Sequence, residues 1–214
     1  MTSLRDRVEA ILRGRPMAGS WAIVLGCGLA YGAVMGAFGG RPKQAAYSAI
    51  KVPLLLAATL VLSVPSYFVL NTLLGLRDDF ADAWRAVVAS QAGLTIILVA
   101  LAPLTAFWYA SFAGYRPAIL FNALMFGVAS LGAQAILRRA YRPLIARDPK
   151  HRHLLRTWIF LYAFVGIQMG WNLRPFVGTP AEPTRFFRAG PWENAYLVVA
   201  EILWEAVAPR GSAR

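Results

Sequence analysis

Residues 86–107 read AVVASQAGLTIILVALAPLTAF, a run in which no side chain carries a charge and the polar members are only Ser90, Gln91, Thr95 and Thr105. As a helix rising 1.5 Å per residue, such a run reaches roughly 30 Å, the thickness of a bilayer's hydrocarbon core. Comparable blocks lie on both sides of it, at about 21–39, 52–74, 117–137 and 154–173. With 58% hydrophobic residues, 15% charged residues and a mean hydropathy of +0.51, the 214-residue chain is richer in apolar side chains than a soluble core can bury. The length leaves room for about five or six spans joined by short loops, and for no separate soluble domain. The expected fold is therefore all-α, a polytopic transmembrane helix bundle. Its organisation is a basic cytoplasmic segment at 1–19, a single transmembrane helical domain at 20–209 and a tail at 210–214.

The sixth span is the open element. Residues 193–207 contain an apolar run at 195–200 but also Glu201 and Glu205, four residues apart and hence on one helical face. The segment either crosses a thin bilayer with its carboxylates toward the bundle or lies in the interface with them in water. Crossing is favoured, giving six spans, with five spans plus an interfacial helix as the alternative. The first fifteen residues present the same kind of choice. Leu4, Val8, Ile11 and Leu12 among arginines fit an amphipathic surface helix, and a disordered basic tail fits equally well. The apolar run that follows is too long for a signal peptide and lacks a convincing cleavage site, so it reads as an uncleaved first span.

The formal net charge of +12 and the pI of about 10.7 raise nucleic acid as a partner, but the placement of the charge argues against it. Basic residues crowd the N-terminus and the segment containing Arg138, Arg139, Arg142, Arg147, Lys150, Arg152 and Arg156, where Asp148 is the one acid. Both segments flank apolar blocks, so they read as cytoplasmic topology signals that also touch anionic lipid headgroups. Four spans separate them, and an even number puts them on the same side. The expected location is a bacterial inner membrane, multi-pass, with the N-terminus in the cytoplasm.

In the first block Gly28, Gly32, Gly36 and Gly40 recur every four residues, a glycine-zipper-like stripe that lets another helix backbone approach closely. Given that topology, Lys51, Arg116, Asn122, Gln168, Asn172 and Arg174 fall near the outer face, while Asn71 and Gln91 fall near the inner ends of their spans. Polar groups in hydrocarbon are costly, so these should face other helices, snorkel to headgroups or line a wet cavity. The functional reading is a cationic layer that holds a lipid headgroup or another anion. The structural reading is interhelical hydrogen bonding, with Lys51 and Arg174 paired to Glu182, Glu193 or Glu201. Prolines at 65 and 103 predict kinks in their spans.

Chemistry-bearing patterns are scarce. His151 and His153 alternate in a basic loop and read as solvated, and Asp78, Asp79 and Asp82 beside Arg77 and Arg85 read as helix capping and local ion pairs. Cys27 is the only cysteine, so an internal disulfide is excluded. No phosphate-binding loop, nucleophile-base pair or metal-ligand cluster is legible, and no enzyme activity, cofactor or metal is expected.

The segments Ala49-Ile50-Lys51-Val52-Pro53-Leu54-Leu55, Pro65-Ser66-Tyr67 and Asn71 to Gly75 make the chain resemble a family of uncharacterised bacterial multi-span inner-membrane proteins. So do the later Phe164-Val165-Gly166, Gln168, Trp171, Leu173-Arg174-Pro175-Phe176 and Gly178, followed by Phe187-Arg188 and Asn194-Ala195-Tyr196. The resemblance covers most of residues 45–200 and implies the multi-span architecture without an activity. A more distant likeness to the Yip1 group of membrane-trafficking proteins rests on architecture alone. The first functional expectation is a non-enzymatic scaffold or accessory subunit of a membrane assembly, packed against a membrane-protein partner or a second copy of itself. The alternative is a small transporter or lipid- or anion-binding protein that uses the outer polar layer.

Overall fold

A computed structural model of the chain describes residues 4–14, 19–112, 114–178 and 183–187. Among these residues every regular element is a helix: α1 Leu4–Leu12, α2 Ser20–Gly36, α3 Pro42–Leu73, α4 Phe80–Ser111, α5 Tyr115–Ala140, α6 Arg142–Arg147 and α7 Lys150–Asn172. Short 3-10 turns at Phe38–Gly40 and Arg77–Asp79 join α2 to α3 and α3 to α4. Residues 193–207, with the sixth-span choice, and the tail at 210–214 lie outside the described residues, as do Glu182, Glu193, Glu201 and Glu205.

Among the described residues three helices are long and apolar enough to cross a membrane: Pro42–Leu73, then α4 with its preceding turn at Arg77–Ser111, and α5 continued through α6 at Tyr115–Arg147. The apolar α2 is shorter at 17 residues, and α7 opens with Lys150, His151, Arg152 and His153. Large apolar side chains face outward, including Val61, Phe107, Leu120, Leu131 and Phe160, each more than two-thirds exposed. A soluble monomer rarely offers so much contiguous apolar surface, whereas lipid tails solvate it.

α2 packs between α3 and α4, α4 packs on α5, and α7 lies against α3. Glycine dictates the first contact. A Cβ on Gly32 would fall 2.3 Å from the Ser48 carbonyl oxygen, one on Gly36 2.6 Å from the Gln44 carbonyl oxygen, and one on Gly28 3.4 Å from the Pro53 ring. Three members of the stripe therefore face α3, within the chain itself. Gly40 departs from it: its φ is +68° in the turn after α2, and nothing lies within 4 Å of where its Cβ would stand. Its role is conformational, because a left-handed backbone favours glycine.

α3 begins ten residues before the apolar block that marked it in the sequence, at Pro42, whose fixed φ and missing N–H suit a helix's first turn. Gln44, Ser48 and Lys51, spaced i, i+4 and i+7, make this extension look polar, yet all three are completely buried on one face. α3 and α4 run on through Pro65 and Pro103 as single helices. Each of these prolines leaves the carbonyl four residues back without its helical donor.

α1 is a helix docked on the bundle. Ile11 is fully buried in the core cluster that holds Val24, Leu94 and Met125, while Leu4 is 71% exposed. A second core cluster, built on Leu60, Tyr67, Val87, Tyr141, Leu154 and Trp158, ties α3, α4, α5 and α7 together. His151 overturns the solvated-loop reading. Its ring is fully buried, with Nε2 3.0 Å from Asp79 Oδ2, because α7 begins inside the bundle's basic end, whereas His153 is exposed. Arg147 bonds both Asp79 at 3.0 Å and Asp82 at 3.2 Å, adding a partner from α6 to the local Arg85–Asp82 pair at 3.0 Å.

Candidate functional site: a cavity under a pinned strap

After α7 the chain turns through Leu173 and crosses α3 as an irregular strap, residues 174–178, with bends at 176 and 177 and a cis peptide between Arg174 and Pro175. The buried face of α3 holds it. Gln44 Nε2 donates to the carbonyl oxygens of Pro175 at 3.1 Å and Phe176 at 3.0 Å. Ser48 Oγ donates to the Phe176 carbonyl as well, and Lys51 Nζ donates to that of Pro175 at 2.7 Å. The strap is irregular backbone whose carbonyls have no helical donors, so side chains of α3 supply them. Gly178 ends it where a Cβ would stand 3.1 Å from Gln44 Cγ.

Lys51 is the unusual member. Among the described residues no carboxylate lies within ion-pair distance of it. Its ammonium instead sits 4.9 Å from the ring centre of Phe186 and 5.9 Å from that of Phe176, adding cation–π attraction to the Pro175 bond. The Arg174 guanidinium carbon lies over the Trp171 indole, 3.2 Å from its ring centre.

Between the strap, the N-terminal half of α5 and the end of α7 lies a cavity of about 1020 Å³. Met35 and Leu55 contribute to its lining from α2 and α3, Ile119 and Phe126 from α5, and Ile167 and Trp171 from α7. The polar lining is sparse and includes Asn122, Arg174 and Arg185. A mostly apolar chamber with a few polar groups is the usual form of a small-molecule site, and this volume is at the large end of the range. Asn122 is fixed by a knot of hydrogen bonds. Its Nδ2 donates to Tyr109 OH at 2.6 Å and to the Ala118 carbonyl at 2.8 Å, its Oδ1 accepts from Tyr31 OH at 3.2 Å, and Tyr109 OH donates to the Met35 carbonyl at 2.9 Å.

The six residues of the expected outer layer thus separate. Asn122 and Arg174 line the cavity, whereas Lys51 stands behind its wall and acts on the strap. Gln168 and Asn172 are half-buried on α7 and bonded to each other at 3.4 Å, and Arg116 is exposed at the start of α5, apart from the cavity lining. Gln44, Ser48, Tyr31, Tyr109 and Arg185 are participants that hydropathy does not single out. The i, i+4, i+7 spacing of Gln44, Ser48 and Lys51 was the available signal. At the opposite end Gln91 Oε1 accepts from Tyr162 OH at 2.9 Å, and Asn71 is fully buried. No family model, curated protein or solved structure matches this chain.

Proposed function

We propose that the chain is a non-enzymatic, multi-pass membrane protein that holds an anionic amphiphile, a fatty acid or the tail of an acidic lipid, in the cavity beneath the strap. The observation that carries this reading is the pairing of a large, mostly apolar chamber with two arginines, Arg174 and Arg185, in its lining. Hydrocarbon fills the chamber, and the acidic head meets the arginines through charge-assisted hydrogen bonds. The assignment extends to topology: six spans in a bacterial inner membrane, N-terminus in the cytoplasm, with the cavity in the outer half. Supporting it, Gly14 of the N-terminal segment contacts the backbone of Ile136 and Ala140, so the two arginine-rich segments share one end of the bundle.

The scaffold reading drew on a glycine stripe open to a partner, and Gly28, Gly32 and Gly36 face α3 instead. The test uses dansyl-undecanoate added to the purified full-length protein in a neutral detergent. The expected result is saturable energy transfer from tryptophan, Trp171 being in the cavity wall. Transfer should be lost in Ala123→Trp, which fills the cavity from α5, and weakened in Arg174→Gln. Equal binding of the corresponding dansyl alkylamine, or binding indifferent to Ala123→Trp, overturns the proposal.

A further inference from the structure

A second cavity, of about 390 Å³, opens at the other end of the molecule, between the end of α1 and the corner where α5 turns into α6. Arginines from three different elements line it: Arg13 after α1, Arg139 in the last turn of α5 and Arg147 at the end of α6. Among the described residues Asp82 is the single carboxylate in the lining.

The backbone is shaped to bring these cations together. Ile11 anchors α1 in the core, and the chain then reverses at Gly14, whose φ is +77°. A Cβ on Gly14 would stand 3.0 Å from the Ala140 amide nitrogen and 3.1 Å from the Ile136 carbonyl oxygen. Both the left-handed backbone and the close approach call for glycine here, and the approach sets Arg13 beside the last turn of α5.

The local carboxylates leave the arginine donors unsaturated. Asp82 is shared between Arg85 at 3.0 Å and Arg147 at 3.2 Å, and Asp79 between Arg147 and His151, each at 3.0 Å. Both bonds from Arg147 use Nη1, so its Nε and Nη2 remain as donors. Among the described residues Arg13 has only the exposed Glu9 pair at 3.4 Å, and Arg139 has no ion pair. Three guanidinium groups from three directions, with one shared carboxylate, suit a tetrahedral oxyanion. Ala86, Pro143 and Leu144 add apolar lining to the cleft, a surface for the first acyl carbons of a lipid that a free ion does not use.

We propose that this cleft binds the phosphate of an anionic phospholipid headgroup, with Arg13, Arg139 and Arg147 as its donors. It is a site separate from the chamber under the strap, and it fixes α1 to the bundle through a bound lipid. Basic pockets between helices on the cytoplasmic side hold acidic headgroups in this way.

Native mass spectrometry of the full-length protein in neutral detergent tests it, with dihexanoyl-phosphatidylglycerol as probe and the zwitterionic phosphatidylcholine analogue as control. Saturable binding of the anionic lipid is expected, weakened about fivefold by either Arg13→Gln or Arg139→Gln and largely retained in Arg139→Lys. The measurement is made in an Ala123→Trp background, whose filled strap cavity confines the reading to this cleft. Elution volume and helical circular dichroism establish that each variant is folded. Inorganic phosphate that fails to compete upholds a lipid ligand, and phosphate that competes at equal concentration upholds the oxyanion site with free phosphate as its source. Undiminished binding in Arg139→Gln, or equal binding of the phosphatidylcholine analogue, overturns the proposal.

Discussion

Lys51 places a cation inside protein with a carbonyl and two aromatic faces as its surroundings. Whether the charge or the bulk of this side chain stabilises the strap is decided by what remains when each is removed. The Pro175 carbonyl keeps a donor without Lys51, because Gln44 Nε2 also reaches it at 3.1 Å. Lys51→Met therefore orphans no acceptor and removes the desolvation cost of a buried charge. Replacing a buried ion with an apolar side chain of similar volume is often neutral or stabilising. Lys51→Ala also removes the stem that fills the space between α3 and the strap, and truncating a buried long side chain to alanine costs about 2–5 kcal/mol. Thermal unfolding in detergent should thus place Lys51→Met at or above the unsubstituted protein and Lys51→Ala well below it. Equal loss in both would assign the work to the charge. Because Lys51 stands outside the cavity lining, Lys51→Met should also leave dansyl-undecanoate binding intact, whereas Arg174→Gln should weaken it.

Among the elements, the α2–α3 contact leaves least room for substitution. Gly32→Ala forces a methyl group to within 2.3 Å of the Ser48 carbonyl, and backbone on both sides cannot move aside as a flexible side chain would. The expected outcome is a large loss of monodisperse protein on size-exclusion chromatography. Gly40→Ala meets open space and carries only the strain of a left-handed backbone, about 1 kcal/mol, so its yield should stay close to normal. The contrast separates two glycines that the four-residue repeat presents as equivalent. It also marks how far the sequence is legible. Uncharged length reveals α4 from residues 86–107 alone, because hydropathy reports what a segment's solvent must be. The same measure begins α3 too late, since Gln44, Ser48 and Lys51 are polar groups whose partners are carbonyls more than 120 residues away. His151 reads as a loop residue for the same reason. Its burial comes from a contact with Asp79, 72 positions earlier, that local composition does not encode. The cavity shares this cause: Asn122 and Arg174 are visible as polar residues, but their meeting in one lining, 52 positions apart, is set by tertiary packing.

At the scale of the whole molecule, the arginine-rich ends and the apolar rods together constrain how the chain sits in a bilayer. The weak point is α2, because 17 residues rise only about 25 Å, short of an average hydrocarbon core. If α2 crosses, as a helix with locally thinned lipid can, the turn after it lies on the opposite side from α1. The turn between α3 and α4 then returns to the basic side, as does the α6–α7 corner. Three exposed positions read this directly in a Cys27→Ser background: Ala37→Cys after α2, Asp78→Cys between α3 and α4, and Lys150→Cys at the start of α7. With a membrane-impermeant maleimide on intact cells, Ala37→Cys should label at once. Asp78→Cys and Lys150→Cys should label only after the membrane is opened, since translocating the arginines around them is disfavoured. Labelling of all three only after opening would mean that α3 does not carry the chain across, because a helix that crosses once between Ala37 and Asp78 puts them on opposite faces. α1 would still sit beside the α5–α6 corner, but an odd number of crossings would separate Asp78 from Ala37 no longer, and the cavity under the strap would have to be placed anew relative to the two leaflets. Labelling of Lys150→Cys from outside would invert the protein, putting the arginine cleft in the outer leaflet and the strap cavity in the inner one.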